Sequence, residues 1–241
     1  MDENKKTAEY IVGFVDVLGS KEEIKKDAEK SFKMMNDTYM DAIMLFKKLF
    51  KNGEVTPVVK IFSDNIVVAV SREKESGHGA FLAVAMLCAI IQVQFLKHGM
   101  LVRGGVSSGS FFASDLMVWG EGLIESYKLE NSIAVYPRII ISPNLIGELG
   151  LASENIKSKL LINCREWITQ DRDGLFMVDY VNNYLVDRDS FIFIMLELIE
   201  QKLITYNDNI KVCQKWLWFN SYMKDKIILK EKFAEETILR T

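Results

Sequence analysis

Proline is scarce in this chain, with three residues in 241, and so are cysteine, with three, and histidine, with two. Three prolines are too few to mark a linker or a domain boundary. Cys88, Cys164 and Cys213 are widely spaced and odd in number. No neighbouring Cys or His completes a zinc set, so a disulfide scaffold and a zinc site are both disfavoured and the thiols read as reduced core residues. His78 and His98 flank an apolar segment and read as marks of helix ends; a His-dependent triad or multi-His metal centre has little material to work with. Charge of one sign is also lacking: 30 Lys+Arg against 33 Asp+Glu leave −3. Nothing in that balance attracts nucleic acid or an anionic membrane. The most apolar run, Phe81 to Ile91, is shorter than the roughly 20 residues of a membrane span. The acidic start MDENKKTAEY has no signal-peptide pattern. The expectation is a cytoplasmic protein with no nucleic-acid and no membrane partner. What is present is an ordinary globular composition, 49% hydrophobic and 26% charged, enough for one large domain or one domain with an appendage.

Tyr10 to Leu18 (YIVGFVDVL) is short, apolar and β-branched, which predicts a central strand carrying one acid, Asp16. Glu22 to Phe50 has helical apolar spacing, a long amphipathic helix broken at most once and ended by Gly53. Val58–Phe62 and Ile66–Val70 predict a hairpin with Asp64 at its tip. A second helix ends near Lys97. Leu101–Ser107 and Phe111–Trp119 read as a strand pair joined through the glycines and serines of RGGVSSGS. A third helix follows over Glu121–Asn131, then a strand at Arg138–Ser142, and edge strands near Leu160–Ile162 and Leu175–Tyr180. The fold class expected is α+β: a ferredoxin-like split βαβ plan with a mixed, mainly antiparallel sheet. Residues 1–181 form the main domain and 182–241 a helical extension packed on it.

Asp16 and Asp64 are acids set in apolar strand contexts, where an unpaired carboxylate costs several kcal/mol. In the expected fold the end of the first strand and the hairpin tip are neighbours, so both carboxylates converge beside the Val17 carbonyl. Hard oxygen donors of that kind suit Mg²⁺ or Mn²⁺. The plain alternative is that Asp16 caps the next helix and Asp64 makes an Asx-turn. Lys60 reads by itself as a strand lysine facing solvent. Arg103 offers a planar fork for phosphate or pyrimidine, or an ion pair near the sheet. Arg138 reads as structural, and the Trp216, Trp218, Phe219 and Tyr222 cluster as helix packing.

Four segments, FVDVLG at 14–19, KIFSD at 60–64, RGGVSSG at 103–109 and WGEGLIESYKLE at 119–130, resemble in order and context the class III nucleotidyl cyclases. They match the family's FxDxxG, KxxGD, RxGxxxG and WGxxVNxAxRxE patterns over about residues 10–142. The departures are specific: the family's transition-state Asn falls on Ile124, its phosphate-binding Arg on Lys128 and its adenine-reading Asp on Met117. The variants FxDxLG, FSDxI, RGG and YxLE, with AxxPRI at 134–139 and DGLFMVDY at 173–180, are similar to the pyrimidine cyclases of bacterial Pycsar antiphage defence.

That resemblance implies the class III cyclase fold and an enzyme, a phosphorus–oxygen lyase converting UTP to 3′,5′-cyclic UMP and pyrophosphate, with CTP to cyclic CMP as the close alternative. It implies two divalent ions, Mn²⁺ or Mg²⁺, held by Asp16, Val17 and Asp64, with Asp16 and Asp64 catalytic and Lys60, Arg103 and Lys128 substrate-binding. Two-metal chemistry needs no protein nucleophile, which agrees with the lack of a triad. It also implies a homodimer with shared sites at its interface, Asp16 and Asp64 of one chain working with Lys60 and Lys128 of the other. The loss of Asn at Ile124 and Arg at Lys128 keeps open a catalytically silent nucleotide-binding or interaction domain. A polymerase-like or diguanylate-cyclase palm shares the split βαβ plan and is a third possibility.

Overall fold

The computed structural model describes residues 7–50, 55–73, 75–153, 158–181 and 185–238. The chain divides into two compact units, residues 1–180 and 181–241. In the first, β1 (Ala8–Leu18) is followed by α1 (Ser20–Lys26), α2 (Ala28–Leu49), β2 (Val58–Phe62), β3 (Asn65–Ser71) and α3 (Gly77–Lys97). Next come β4 (Leu101–Ala113), β5 (Val118–Trp119), α4 (Glu121–Lys128), β6 (Ile139–Ile141) and α5 (Pro143–Glu148), then α6 (Lys159–Arg165), β7 (Ile168–Gln170) and β8 (Phe176–Val178). The second unit holds α7 (Arg188–Thr205) and α8 (Ile210–Ile238). There Trp216 meets Phe219 edge-on and Trp218 stacks on Tyr222, which is helix packing.

The sheet runs β2-β3-β1-β4-β6-β8-β7, with β5 hooked onto β4. Among the described residues only the β4–β6 pairing is parallel. The first four long strands therefore stand in the order of a split βαβ unit, and the expected α+β class is the one observed. Central β1 alternates as its apolar character dictates. A methyl group on Gly13 would meet Cys88 and Val84 of α3, so one face of β1 lies on that helix. On the other face Val12, Phe14, Val67, Ala69 and Phe111 form a buried cluster. Register places Asp16, Phe14 and Val12 opposite Arg103, Gly105 and Ser107 of β4, all on this second face. α4 covers part of it, since a Cβ on Gly122 would touch Val12 and one on Gly105 would lie 2.4 Å from the Ser126 carbonyl oxygen.

α3 is 21 residues long and the only helix among the described residues apolar enough to cross a membrane by length and composition; 83% of its apolar window is buried inside the protein. It is a core helix, apolar on every side because it is covered on every side. His78 lies in its first turn and His98 caps its end. Burial pushes the thiols of Cys88 and Cys164 up to about 12, which keeps them protonated and inert.

Two expectations are corrected. RGGVSSGS is not a turn between two strands: β4 is one 13-residue strand, paired with β1 from Leu101 to Phe111, and the hairpin to β5 turns later, through Ser114–Met117. Its glycines serve close approach instead, because a Cβ on Gly104 would lie 2.4 Å from the Phe14 carbonyl oxygen. Leu160–Ile162 is not a strand but the middle of α6, where Leu160 and Cys164 recur at helical spacing. The strand before β8 is instead β7. The break in the long N-terminal helix falls at Asp27, extended at φ −159°, whose side chain caps α2 through the Lys30 N–H. α2 ends at Leu49, and Gly53 lies outside the described residues.

Arg138, 3% exposed, ties the start of β6 to the turn before β8, donating to Asp171 and, at 3.0 Å, to Asp173. Its donation holds the Asp173 carboxyl below its ordinary 3.8. A lowered carboxylate adds stability that is present above its unfolded pKa and lost as pH falls through the lower folded value. Arg138→Met is expected to cost about 3 kcal/mol and to weaken the acid dependence of stability below about pH 4, read as urea midpoints against pH. Gly105→Ala is expected to cost about 1–3 kcal/mol by forcing α4 off the sheet, read the same way at neutral pH.

Candidate functional site

The site forms where β1 runs out. Ser63 and Asp64 make the two-residue turn between β2 and β3, and Ser63, at φ 58°, is the one described non-glycine residue with positive φ. A turn of this length demands such a φ, so the hairpin accepts local strain where it presents Asp64. The Val17 N–H donates to the Asp64 carbonyl at 3.1 Å, pinning the hairpin tip one residue beyond Asp16. Asp16 itself lies opposite Asn65 and Arg103. The structure thus brings Asp16, Val17, Asp64 and Arg103 to one end of the sheet. Neither acid plays the plain turn-and-cap role alone: Asp16 does not cap α1, whose N-cap is Gly19 with no side-chain bond.

Each carboxylate has partners of its own. Asp64, 7% exposed, accepts from the Ser20 hydroxyl and from the Asn65 amide at 3.2 Å. Ser20 reaches it because Gly19, at φ 84°, turns the chain sharply after β1. Burial alone would raise the Asp64 carboxyl, yet the Ser20 hydroxyl first, then the Asp64 N–H and the Ser63 hydroxyl, hold it below the ordinary carboxylate range. Asp16 goes the other way: burial raises it, and the Arg103 Nε–H, at 3.2 Å, only partly offsets the rise. Arg103 Nη2 meets Glu130 Oε1 at 2.6 Å. Glu130 is 3% exposed and lies in a π-turn, Leu129–Ile133, that follows α4. Burial first, then the nearby aspartates, push it up to about 7 against the pull of Arg103.

Tyr39 of α2 adds a buried hydroxyl with no hydrogen-bond partner. Burial, then the charges of Asp64 and Asp16, raise its pKa, so it stays protonated beside them. Lys21 sits close enough for its charge to favour the ionised form of both aspartates. Ser20, Lys21, Tyr39 and Glu130 were not predicted as site residues from sequence. Ser20 and Lys21 follow the FVDVLG segment directly and Glu130 ends YKLE, but nothing in the sequence marks their contacts.

The remaining predicted residues lie apart from this cluster. Lys60 is on the same hairpin, its Nζ 3.7 Å from Asp115 Oδ1 in the β4–β5 turn. Lys128 ends α4 with its side chain 65% exposed and 3.8 Å from Glu125.

As a donor set, two carboxylates and a main-chain carbonyl fit a hard divalent cation. No group of three or more His, Cys, Asp or Glu side chains is gathered for a metal among the described residues, so further ligands would come from water or from a bound phosphate. Ser20→Ala is expected to raise the Asp64 carboxyl toward its ordinary value, read by carboxyl ¹³C NMR, and to cost about 1.5–3 kcal/mol of stability, the range for hydrogen bonds to charged groups.

No protein-family model matches the chain, and no curated protein is similar to it in sequence. Solved structures are similar to it in backbone fold. The adenylyl cyclase CyaB from P. aeruginosa is 17% identical, with 72% of this chain and 95% of that chain covered and a TM-score of 0.46. The guanylyl cyclase Cya2 is 12% identical over 73% of this chain and 92% of that one, TM-score 0.47. A bacterial light-regulated adenylyl cyclase is 14% identical over 81% and 98%, TM-score 0.44.

Proposed function

We propose that this protein is a nucleotidyl cyclase that converts a pyrimidine nucleoside triphosphate, UTP in preference to CTP, to its 3′,5′-cyclic monophosphate and pyrophosphate, as a second-messenger synthase in antiphage defence. The observation that carries this is the meeting of Asp16 and Asp64 at one end of the sheet, each from a cyclase-like segment. Met117, where the cyclase pattern has an adenine-reading acid, supports a pyrimidine.

In the reaction the ribose 3′-oxygen forms a bond to the α-phosphorus as the bond from that phosphorus to the bridging oxygen of pyrophosphate breaks; the hydroxyl proton passes to solvent. Asp16, Asp64 and the Val17 carbonyl would hold two divalent ions, Mn²⁺ or Mg²⁺, which when bound acidify the attacking hydroxyl and neutralise the triphosphate. The chain's own residues do the positioning. Ser20 keeps Asp64 ionised, Ser20 and Asn65 hold it in place, and Lys21 adds positive charge where a triphosphate is to lie. Lys60, 3.7 Å from Asp115, would meet a base edge.

Lys128 is exposed and pairs with Glu125, not with Asp16 or Asp64, which supports a C₂ homodimer in which the partner subunit's Lys60 and Lys128 complete each site. Exposed Leu116, Met117, Trp119, Ile124 and Tyr127 supply an apolar surface on and beside α4 for such a partner. The same exposure of Ile124, with Lys128 paired to Glu125, favours a second reading, a catalytically silent nucleotide-binding domain.

Incubating the protein with each of the four NTPs and Mn²⁺, with products read by mass spectrometry, is expected to give cyclic UMP and less cyclic CMP. Product from ATP or GTP alone overturns the pyrimidine assignment. A thermal shift with nucleotide but no pyrophosphate release establishes the silent reading. Asp16→Asn and Asp64→Asn are each expected to lower turnover at least a hundredfold, the loss expected when a group bound to the reacting atoms goes, with the fold kept. Asp64→Asn and Lys128→Ala chains, each inactive alone, are expected to regain activity when mixed; no complementation despite subunit exchange refutes the shared site.

A further inference from the structure

The RGG segment and the π-turn after α4 converge on one side chain. Arg103 uses its Nε–H on Asp16 Oδ2 at 3.2 Å and its Nη2 on Glu130 Oε1 at 2.6 Å. These two nitrogens form the edge of the guanidinium that grips a carboxylate or phosphate with two parallel bonds. Nε donates to one acid and Nη2 faces the other, so carboxylates occupy this edge of the fork. Glu130 is buried, its Oε1 makes no hydrogen bond and meets the Arg103 charge, its carboxyl also interacts with that of Asp16, and Leu129 beside it packs with Ala134 and Ile140. The π-turn is what brings Glu130 under the sheet: it follows an α4 that the missing side chain of Gly105 lets down onto β4. π-turns of this kind recur where a helix must re-aim a functional side chain.

We infer that Glu130 is a positioning residue: it anchors Arg103, and Arg103 so anchored sets the direction in which Asp16 presents its free oxygen, making Arg103 a positioning residue as well. Partners one shell out from a ligand commonly fix its orientation, and losing them typically weakens metal binding about 10–100-fold. A lysine in place of Arg103 offers a point charge and no two-sided fork, so it satisfies one acid at a time. The inference rests on the proposed metal-binding role of Asp16 only for its second readout.

The first readout is the χ1 rotamer of Asp16, measured by three-bond couplings in the full chain without metal. One rotamer is expected in the wild type, and rotamer averaging in Glu130→Gln, Glu130→Asp, Arg103→Met and Arg103→Lys. The second is the dissociation constant for Mn²⁺ alone, expected to rise about tenfold or more in Glu130→Gln. The Arg103→Met/Glu130→Gln double variant should bind no more weakly than Arg103→Met, since both act through one contact. A merely structural role lowers the urea midpoint and leaves both readouts unchanged. A single Asp16 rotamer in folded Glu130→Gln, or in folded Glu130→Asp should the former not fold, overturns the inference. If the wild type binds no Mn²⁺, the metal reading of the site falls, while the Asp16 rotamer still decides whether Glu130 positions it.

Discussion

A carboxylate near the end of an apolar sheet has to be compensated, and in this protein the compensation is Arg103. Its fork joins three elements that are far apart in sequence: β1 through Asp16, β4 through its own backbone, and the π-turn after α4 through Glu130. Burial disfavours both acids in their charged form, so the guanidinium offsets two desolvation costs at once. Arrangements of this kind tolerate the loss of one member badly, because the survivors are left charged, buried and unpaired.

The glycines beside Arg103 follow from the same constraint. For the arginine to reach an acid on α4's far end, the helix must lie close on the sheet, and a strand residue with any side chain would hold it away. Gly105 removes that spacer against Ser126 and Leu129, while Gly104 does the same against the backbone of β1. A strand interior ordinarily loses stability with glycine; here the loss is balanced by a helix that approaches near enough to deliver Glu130. Ser107, two residues on, donates to the Gly122 carbonyl at 2.7 Å and fastens the other end of α4 to the strand.

Much of this was legible from residue patterns. The apolar run with one acid gave β1, the two β-branched runs with a short polar spacer gave the β2–β3 hairpin, and together they placed Asp16 next to Asp64. What was not legible depended on partners distant in the chain. Ser20 and Asp64 are 44 residues apart and Arg103 and Asp16 are 87 apart, and local spacing carries no information about either contact. RGGVSSGS was misread as a turn because glycine and serine are turn formers locally. The long antiparallel partner β1 extends the strand through them. Leu160–Ile162 was misread because three apolar residues in a row suit a short buried strand or a helix equally, and the burial of Cys164 one turn later decides for the helix.

The enclosed position of α3 carries a consequence for how the chain reaches its fold. The sheet that covers this helix closes only when β1 pairs with β4, across a sequence separation near the 87 residues between Asp16 and Arg103, with α3 lying between them in the chain. A helix with no polar side leaves the ribosome before the strand that completes its cover. Long-range strand pairing is slow, because the entropy of closing the loop is spent before the contacts form. Through that interval the nascent protein shows a 21-residue apolar surface, the kind that holdase chaperones bind and that aggregates at high expression. Its yield in recombinant production is therefore governed by synthesis rate, temperature and chaperone supply before it is governed by the stability of the finished fold.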